Sequence, residues 1–231
     1  MIAMVMPVYN ESACIAGVLR SWMAALHDID GDYLILLMND GSTDNTVDTV
    51  HRVADDPHVR VITLRHGGHG NAVLTGYRMA LEVPGVEYVM QTDSDGQTDA
   101  GDLPVMWGLS MAHPRSIVMG VRSHRHDGVF RLVSTRILRM VLLLMTGHFI
   151  PDANVPFRIF PVSVLRRMMA SLPGRLDYTN IILSVSAYAH GVPVRWHDIR
   201  FGDRRTGRNS VSWRTMPGSA MEVMREVSSC H

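Results

Sequence analysis

The chain contains no lysine, since all 22 of its basic residues are arginine. This excludes a lysine Schiff base and the lysine of a phosphate-binding P-loop. Gene base composition that favours arginine explains the lack itself. Cysteine is almost as scarce, with Cys14 in an early helical stretch and Cys230 next to the last residue. Neither a disulfide framework nor a cysteine metal site is supported, and a reducing compartment fits. Long apolar runs are missing too: Met140 to Met145 is far too short to span a bilayer, and no basic leader precedes Met1-Ile2-Ala3-Met4-Val5-Met6. A cytoplasmic chain without a membrane span is therefore expected. Internal repeats, linkers and low-complexity segments are likewise absent from the sequence.

What is present is enough apolar material for one good core. At 231 residues and 46% hydrophobic content, the chain is expected to fold as a single domain or two closely joined halves. The formal net charge of zero hides a division. Residues 1–114 hold 5 Arg against 15 acids, whereas residues 115–214 hold 16 Arg against 5 acids. The second half thus offers arginine forks suited to an anion such as phosphate, or merely a solvated basic surface.

Residues 1–122 alternate between two hydrophobic periods. Strands are predicted at Ile2–Pro7, Tyr33–Asn39, Val59–Leu64, Tyr88–Thr92 and Ser116–Arg122, with helices at Ser12–Leu26, Asn45–Ala54, Asn71–Leu81 and Leu103–Met111. Such alternation implies right-handed crossovers and an α/β fold whose mostly parallel sheet is flanked by helices on both faces. Four strand ends carrying polar residues then fall on one edge, where open α/β sheets bind ligands. These are Pro7-Val8-Tyr9-Asn10-Glu11, Asn39-Asp40-Gly41-Ser42-Thr43-Asp44, His66-Gly67-Gly68-His69-Gly70-Asn71, and Thr92-Asp93-Ser94-Asp95-Gly96-Gln97.

The last of these is the chemical centre of the chain. In an extended segment Asp93, Asp95 and Gln97 project to one side, an all-oxygen set suited to a hard cation, Mg2+ or Mn2+. The plain alternative is an acidic turn capping the helix that starts near Asp102. His66 and His69 form a His-x-x-His in a glycine turn rather than on a helix, so no zinc site is expected.

In residues and order, Val5-Met6-Pro7-Val8-Tyr9-Asn10-Glu11, Asn39-Asp40-Gly41-Ser42-Thr43-Asp44, the glycine loop with Ala72 and Gly76, and Asp93-Ser94-Asp95 resemble the family 2 glycosyltransferases. Asp93-Ser94-Asp95-Gly96-Gln97, the segment Asp152-Ala153-Asn154-Val155-Pro156-Phe157-Arg158-Ile159-Phe160, and Phe201-Gly202-Asp203-Arg204-Arg205-Thr206-Gly207 are similar to motifs of the dolichol- and polyprenyl-phosphate sugar transferase branch. The resemblance spans roughly residues 3 to 214. It implies the A-type glycosyltransferase fold with a Rossmann-like nucleotide-binding half. The implied donor is a nucleotide sugar (UDP-, GDP- or dTDP-), with a divalent cation at Asp93, Asp95 and Gln97. The donor half would run over about residues 1–99, an acceptor half over about 100–214, and a C-terminal helix or tail over 215–231. No nucleic-acid partner is expected.

Each motif suits a donor physically. Pro7 and Tyr9 offer an apolar edge and a ring to a base, Glu11 and Asp40 accept hydrogen bonds from base or ribose, and Gly68 and Gly70 let the backbone approach the ligand. In the reaction implied, displacement at the anomeric carbon, negative charge grows on the leaving diphosphate, where a cation and Arg204 would stabilise it. Arg122, Arg131 and Arg158 are candidates for holding an anionic acceptor. A phosphate acceptor needs little help from a base, whereas a hydroxyl acceptor needs one, and Asp152 is the candidate.

The acceptor stays open at this point. Phe130–Met145 is apolar on nearly all sides, as in a buried helix or one lying in a bilayer surface. Met216–Val227 could dock on the core, a partner or a membrane. Asn209 stands where the branch has serine, and Asn180 stands where it has an acid. A lipid phosphate leads, with peripheral membrane contact, and a soluble small-molecule hydroxyl acceptor follows. A nucleotidyltransferase would carry a Gly-rich basic loop after the first strand, where Pro7-Val8-Tyr9-Asn10-Glu11 stands instead. A non-catalytic nucleotide-sugar module would lack a metal carboxylate, and both are present.

Overall fold

A computed structural model describes residues 1–29, 31–122, 129–202 and 222–227, with side chains in the 129–146 helix described from Arg136 onward. Among the described residues the sheet has seven strands in the order β3-β2-β1-β4-β6-β5-β7. They are β1 (Ile2–Val8), β2 (Tyr33–Asn39), β3 (Val59–Thr63), β4 (Tyr88–Gln91), β5 (Ile117–Val121), β6 (Arg158–Pro161) and β7 (Val194–Asp198). β1 runs parallel to both β2 and β4, with Ile2 opposite Tyr33 on one side and Tyr88 on the other. β6 alone runs antiparallel to its neighbours, pairing with β4 and β5. One sheet therefore runs through both halves of the chain.

β1 is buried along its whole length, as a parallel strand covered on both faces must be. The covering helices are α1 (Ile15–His27), α2 (Thr46–Val53), α3 (His69–Glu82), α4 (Leu103–Ala112), α5 (Val129–Thr146), α6 (Val162–Met169) and α7 (Thr179–Ala189). α1 shows why the helices dock: Ile15, Leu19, Trp22 and Leu26 recur at helical spacing and are all buried. α3 crosses directly over β1 and β2. A Cβ at Gly76 would lie 2.4 Å from Val5 Cγ1 and 3.0 Å from Met38 Cγ, so the absent side chain sets how closely that helix sits. The five strands and four helices expected in residues 1–122 all form, with ends shifted by up to three residues.

One expectation about the second half changes, and one question left open there is answered. Arg158 does not face an acceptor: in β6 it is fully buried, with its guanidinium spent on main-chain oxygens. Nε donates to Val155 O at 3.0 Å, Nη1 to Asn180 O at 2.9 Å and Nη2 to Ala153 O at 3.3 Å, with a further bond from Nη2 to Val155 O. Burial pulls this guanidinium below its usual pKa, against the favourable fields of Tyr77, Asp152 and Asp93. α5 is not enclosed either. Ile137, Met140 and Leu144 are 50%, 57% and 78% exposed, and Phe149 just beyond the helix is 61% exposed, whereas Leu142 is buried.

The C-terminal stretch docks on the core over residues 222–227. Val223 and Val227 are buried, and Glu226 accepts from the backbone N–H groups of Asp177 and Tyr178 at 2.9 and 3.1 Å, capping the start of α7.

Arg158→Met should keep the volume but take from Val155 O its guanidinium donors and leave Ala153 O and Asn180 O to share the hydroxyl of Ser184, at a cost of about 2 kcal/mol or more. Urea denaturation would register this as a lower midpoint. An unchanged midpoint would mean that the guanidinium does not satisfy those oxygens.

Candidate active site

The carboxyl ends of β1, β2 and β4 lie side by side, and the turns leaving them tie together. After β1 the chain turns at Asn10, whose φ of 54° is unusual for a side chain other than glycine. Asn10 holds that turn against the β2 exit: its Oδ1 accepts from Thr43 N at 2.8 Å, and its own N–H donates to Ser42 Oγ at 3.0 Å. Glu11 N donates to Thr46 Oγ1 at 2.9 Å, while the Glu11 carboxylate, 6% exposed, accepts from Cys14 Sγ at 3.2 Å. Pro7 is buried within β1. These placements do not match an open base-binding role for Pro7 or Glu11, which instead shape the exits of β1 and β2.

Asp40 has a similar task. It is 3% exposed, and its two carboxylate oxygens accept from Gly67 N at 2.8 Å and Gly68 N at 2.9 Å, with His66 Nδ1 also 2.9 Å away. The carboxylate therefore folds the glycine loop back onto β2 rather than facing outward. The loop carries Tyr9's partner: the His66 ring stacks on Tyr9 with centroids 4.5 Å apart, and Tyr9 keeps 43% of its surface exposed. Gly68 begins α3 at φ 93°, where a side chain would be strained. Gly70 serves packing rather than ligand approach, because a Cβ there would come within 2.2 Å of Asp177 O.

The acids after β4 are not in a straight row. The strand ends at Gln91, residues 94–96 bend with Gly96 at φ 74°, and Asp95 Oδ1 accepts from Gln97 N at 3.1 Å across that bend. The amide of Gln97 is fixed by donation from Nε2 to Gly202 O at 2.9 Å, which leaves Oε1 as its remaining acceptor. Asp93 differs from every other acid at this edge. Its Oδ1 is buried and accepts no hydrogen bond, with His69 Nε2 3.6 Å away. An ionised oxygen in that position is costly without a positive partner. Helix capping, the plain alternative for this motif, falls instead to Asp99, which accepts from Gly101 N at 2.8 Å.

The donor set fits a hard divalent cation. Two carboxylates and an amide oxygen are all hard ligands, and the unpartnered Asp93 oxygen is the kind of group such an ion satisfies. Among the described residues no group of three or more His, Cys, Asp or Glu is set to hold a metal by itself, so a ligand's phosphates would have to complete the shell. A groove of about 970 Å³ runs beside the motif, with Gln97 and Thr98 on one wall and Cys14, Val18, Trp22 and Phe201 on others.

Of the residues expected to meet an acceptor, Arg122 and Asp152 do not stand free. Arg122 Nε and Nη2 donate to the two Asp152 oxygens at 2.7 and 2.8 Å, and the guanidinium lies 5.0 Å from the centroid of the Phe201 ring. This buried fork-to-fork pair occupies the side chain expected to act as a base. Arg204 and the side chain of Arg131 lie outside the described residues.

One arrangement had no signal in the sequence. Arg200 Nε and Nη1 reach Asp102 and Asp99 at 2.9 and 3.0 Å, and nothing in the local pattern around residue 200 marks it. The Tyr9–His66 stack was hidden for the same reason, as its partners lie on different loops.

Comparison with known proteins places the chain. Residues 3–171 match the model of the family described as glycosyl transferase family 2. An undecaprenyl-phosphate 4-deoxy-4-formamido-L-arabinose transferase of Yersinia enterocolitica is 27% identical over 172 residues, covering 73% of this chain and 51% of that protein. The transferase of the same name from Serratia proteamaculans is 29% identical over the same shares of each chain. The chain thus spans about half the length of these relatives. Among solved structures, glucosyl-3-phosphoglycerate synthase of Mycobacterium tuberculosis, in complex with Mn2+, UDP-glucose and phosphoglyceric acid, superposes with a TM-score of 0.72. It is 20% identical, with 100% of this chain and 79% of that one covered. Sheet topology and sequence agree, and the chain, built on the A-type glycosyltransferase fold, belongs to glycosyl transferase family 2.

Proposed function

We propose that this chain moves a sugar from a nucleoside diphosphate sugar to a lipid phosphate by displacement at the anomeric carbon, with the nucleoside diphosphate leaving. The observation that carries the donor half of this reading is the buried Oδ1 of Asp93 beyond the end of β4, which accepts no hydrogen bond and has only the His69 ring 3.6 Å away. Asp93, Asp95 and Gln97 would hold Mg2+ or Mn2+, and such an ion, when bound, neutralises charge that grows on the leaving diphosphate. The Mn2+ and UDP-glucose of the mycobacterial neighbour support the same reading.

The chain's own residues do the rest. Tyr9, stacked on His66 and partly exposed, offers an aromatic face to the base. Asp40, by holding the Gly67 and Gly68 amides, fixes the loop that opens α3 next to that face. His69, 3.6 Å from Asp93, is a candidate contact for a diphosphate bound at the motif. Arg204 is retained as a candidate for stabilising the leaving group.

The acceptor half rests on α5. A helix that leaves Ile137, Met140 and Leu144 in solvent, beside Arg136 and followed by exposed Phe149, has the composition of an interfacial helix. A lipid phosphate presented at a bilayer surface is the acceptor such a helix would serve, and the curated relatives are named for undecaprenyl phosphate. No helix among the described residues is long and apolar enough to cross a membrane, so contact through this region would be peripheral. A phosphate acceptor is already ionised and needs no base, in keeping with an Asp152 engaged by Arg122.

Asp93→Ala and Asp95→Ala should each lower transfer by about 100-fold or more while leaving circular dichroism unchanged, and EDTA should do the same to the wild type. Undiminished turnover in EDTA would contradict the donor reading. Co-sedimentation with phosphatidylglycerol vesicles checks the acceptor side. Binding at low salt is expected, and it should weaken in Leu144→Glu, a change at a 78% exposed position that leaves the core intact. Failure of the wild type to sediment at low salt would count against the membrane-surface reading.

A further inference from the structure

The residues that follow β7 run antiparallel to the segment that follows the acid motif. Thr98 and Phe201 form an isolated bridge, Gly202 N donates to Gln97 O at 2.8 Å, and Asp99 N donates to Arg200 O at 3.3 Å. A ladder this short is marginal by itself. Arg200 anchors it. Its backbone N–H donates to Asp102 Oδ2 at 2.7 Å, its Nε to Asp102 Oδ1 at 2.9 Å, and its Nη1 lies 3.0 Å from Asp99 Oδ2. Gly101 permits this seat, since a Cβ there would fall 2.6 Å from Arg200 Nη2. On the other side Phe201 lies against Arg122, itself locked to Asp152.

This stem fixes the last member of the acid motif twice, through Gln97 O and through Gln97 Nε2, which donates to Gly202 O. Gln97 in turn passes the constraint on, because its backbone N–H is held by Asp95 Oδ1. We propose that Arg200 is a positioning residue for the divalent-cation site: by pinning residues 199–202 to Asp99 and Asp102 it holds Gln97, and through it Asp95, in place beside Asp93. The inference rests on the reading of Asp93, Asp95 and Gln97 as the cation's ligands.

Exposure makes the idea separable from a role in folding. The Arg200 side chain is 62% exposed and its pair with the half-exposed Asp99 contributes little to global stability, while the buried Asp102 keeps the backbone N–H of residue 200 as a partner when the side chain is removed. Its effect should therefore be local, as outer-shell partners of metal ligands act on affinity. The hydrogen bond to Asp102 and the charges of Asp102 and Asp99 also hold the guanidinium above its usual pKa.

Mn2+ binding to the UDP-saturated protein, followed by the electron paramagnetic resonance of free Mn2+, tests this directly. Arg200→Ala should weaken Mn2+ about tenfold, with an unchanged melting temperature and unchanged UDP affinity in the absence of metal. Arg200→Lys should recover part of the loss, because a point charge reaches one carboxylate where the fork reaches two. Asp99→Asn, which keeps the Asp102 pair, should weaken Mn2+ less but in the same direction. Wild-type Mn2+ affinity in Arg200→Ala would overturn the proposal, as would a loss in affinity matched by a fall in melting temperature. Asp95→Ala serves as the control: if it binds Mn2+ as the wild type does, the ligand assignment itself fails, whatever Arg200 does.

Discussion

Parallel strands end together, and this constraint governs the molecule. β1, β2, β3 and β4 all point their carboxyl ends to one edge, so the chain must leave the sheet there four times. Each exit exposes backbone amides that need partners, and the sequence supplies them with short oxygen side chains. Asn10 ties the β1 exit to the β2 exit, and Asp40 ties the β2 exit to the glycine loop after β3. The acids of this edge are thus mostly consumed in holding the edge together. Asp93 stands apart because one of its buried oxygens has no hydrogen-bond partner.

Beneath Asp93 lies a buried polar layer that is unusual for a sheet interior. Gln91 pairs with Arg158 across the β4–β6 ladder, and the Gln91 side chain accepts from Tyr77 Oη at 2.5 Å. Burial pushes the Tyr77 phenol well above its ordinary pKa, so it remains a neutral donor. Arg158 lies fully buried in the same layer, where burial lowers its pKa against the favourable fields of Tyr77, Asp152 and Asp93.

The legibility of the chain followed the range of the interactions. β1 and β2 were readable because strands covered on both faces must be continuous apolar runs, and α1 because its apolar residues recur at helical spacing. β6 and β7 were not, since Arg158 interrupts the first and Val194–Asp198 alternates polar and apolar residues. The four polar strand ends and the acid motif were found from order and residue type. Their detailed roles were not. Asp40 was expected to meet a ligand, yet its partners lie 27 and 28 residues away in a loop whose path depends on the fold. Arg122, Asp152 and Arg158 were expected to stand open to an acceptor, and all three proved to be enclosed in pairs or carbonyl cages. A charge in a sequence does not reveal whether its partner is solvent, backbone or another charge. The exposed face of α5 was equally undecidable, because a helix apolar on nearly all sides reads the same buried or bare.

The central claim is that the β4 edge is half of a cation site, to be completed by a diphosphate. Calorimetric titration of Mn2+ into the protein, with and without UDP and then with GDP and dTDP, tests it most directly. Two carboxylates and an amide leave much of the ion's shell unfilled, so binding should be weak alone and strengthen by about tenfold or more with the matching nucleotide. Equal Mn2+ affinity with and without every nucleoside diphosphate would contradict the account.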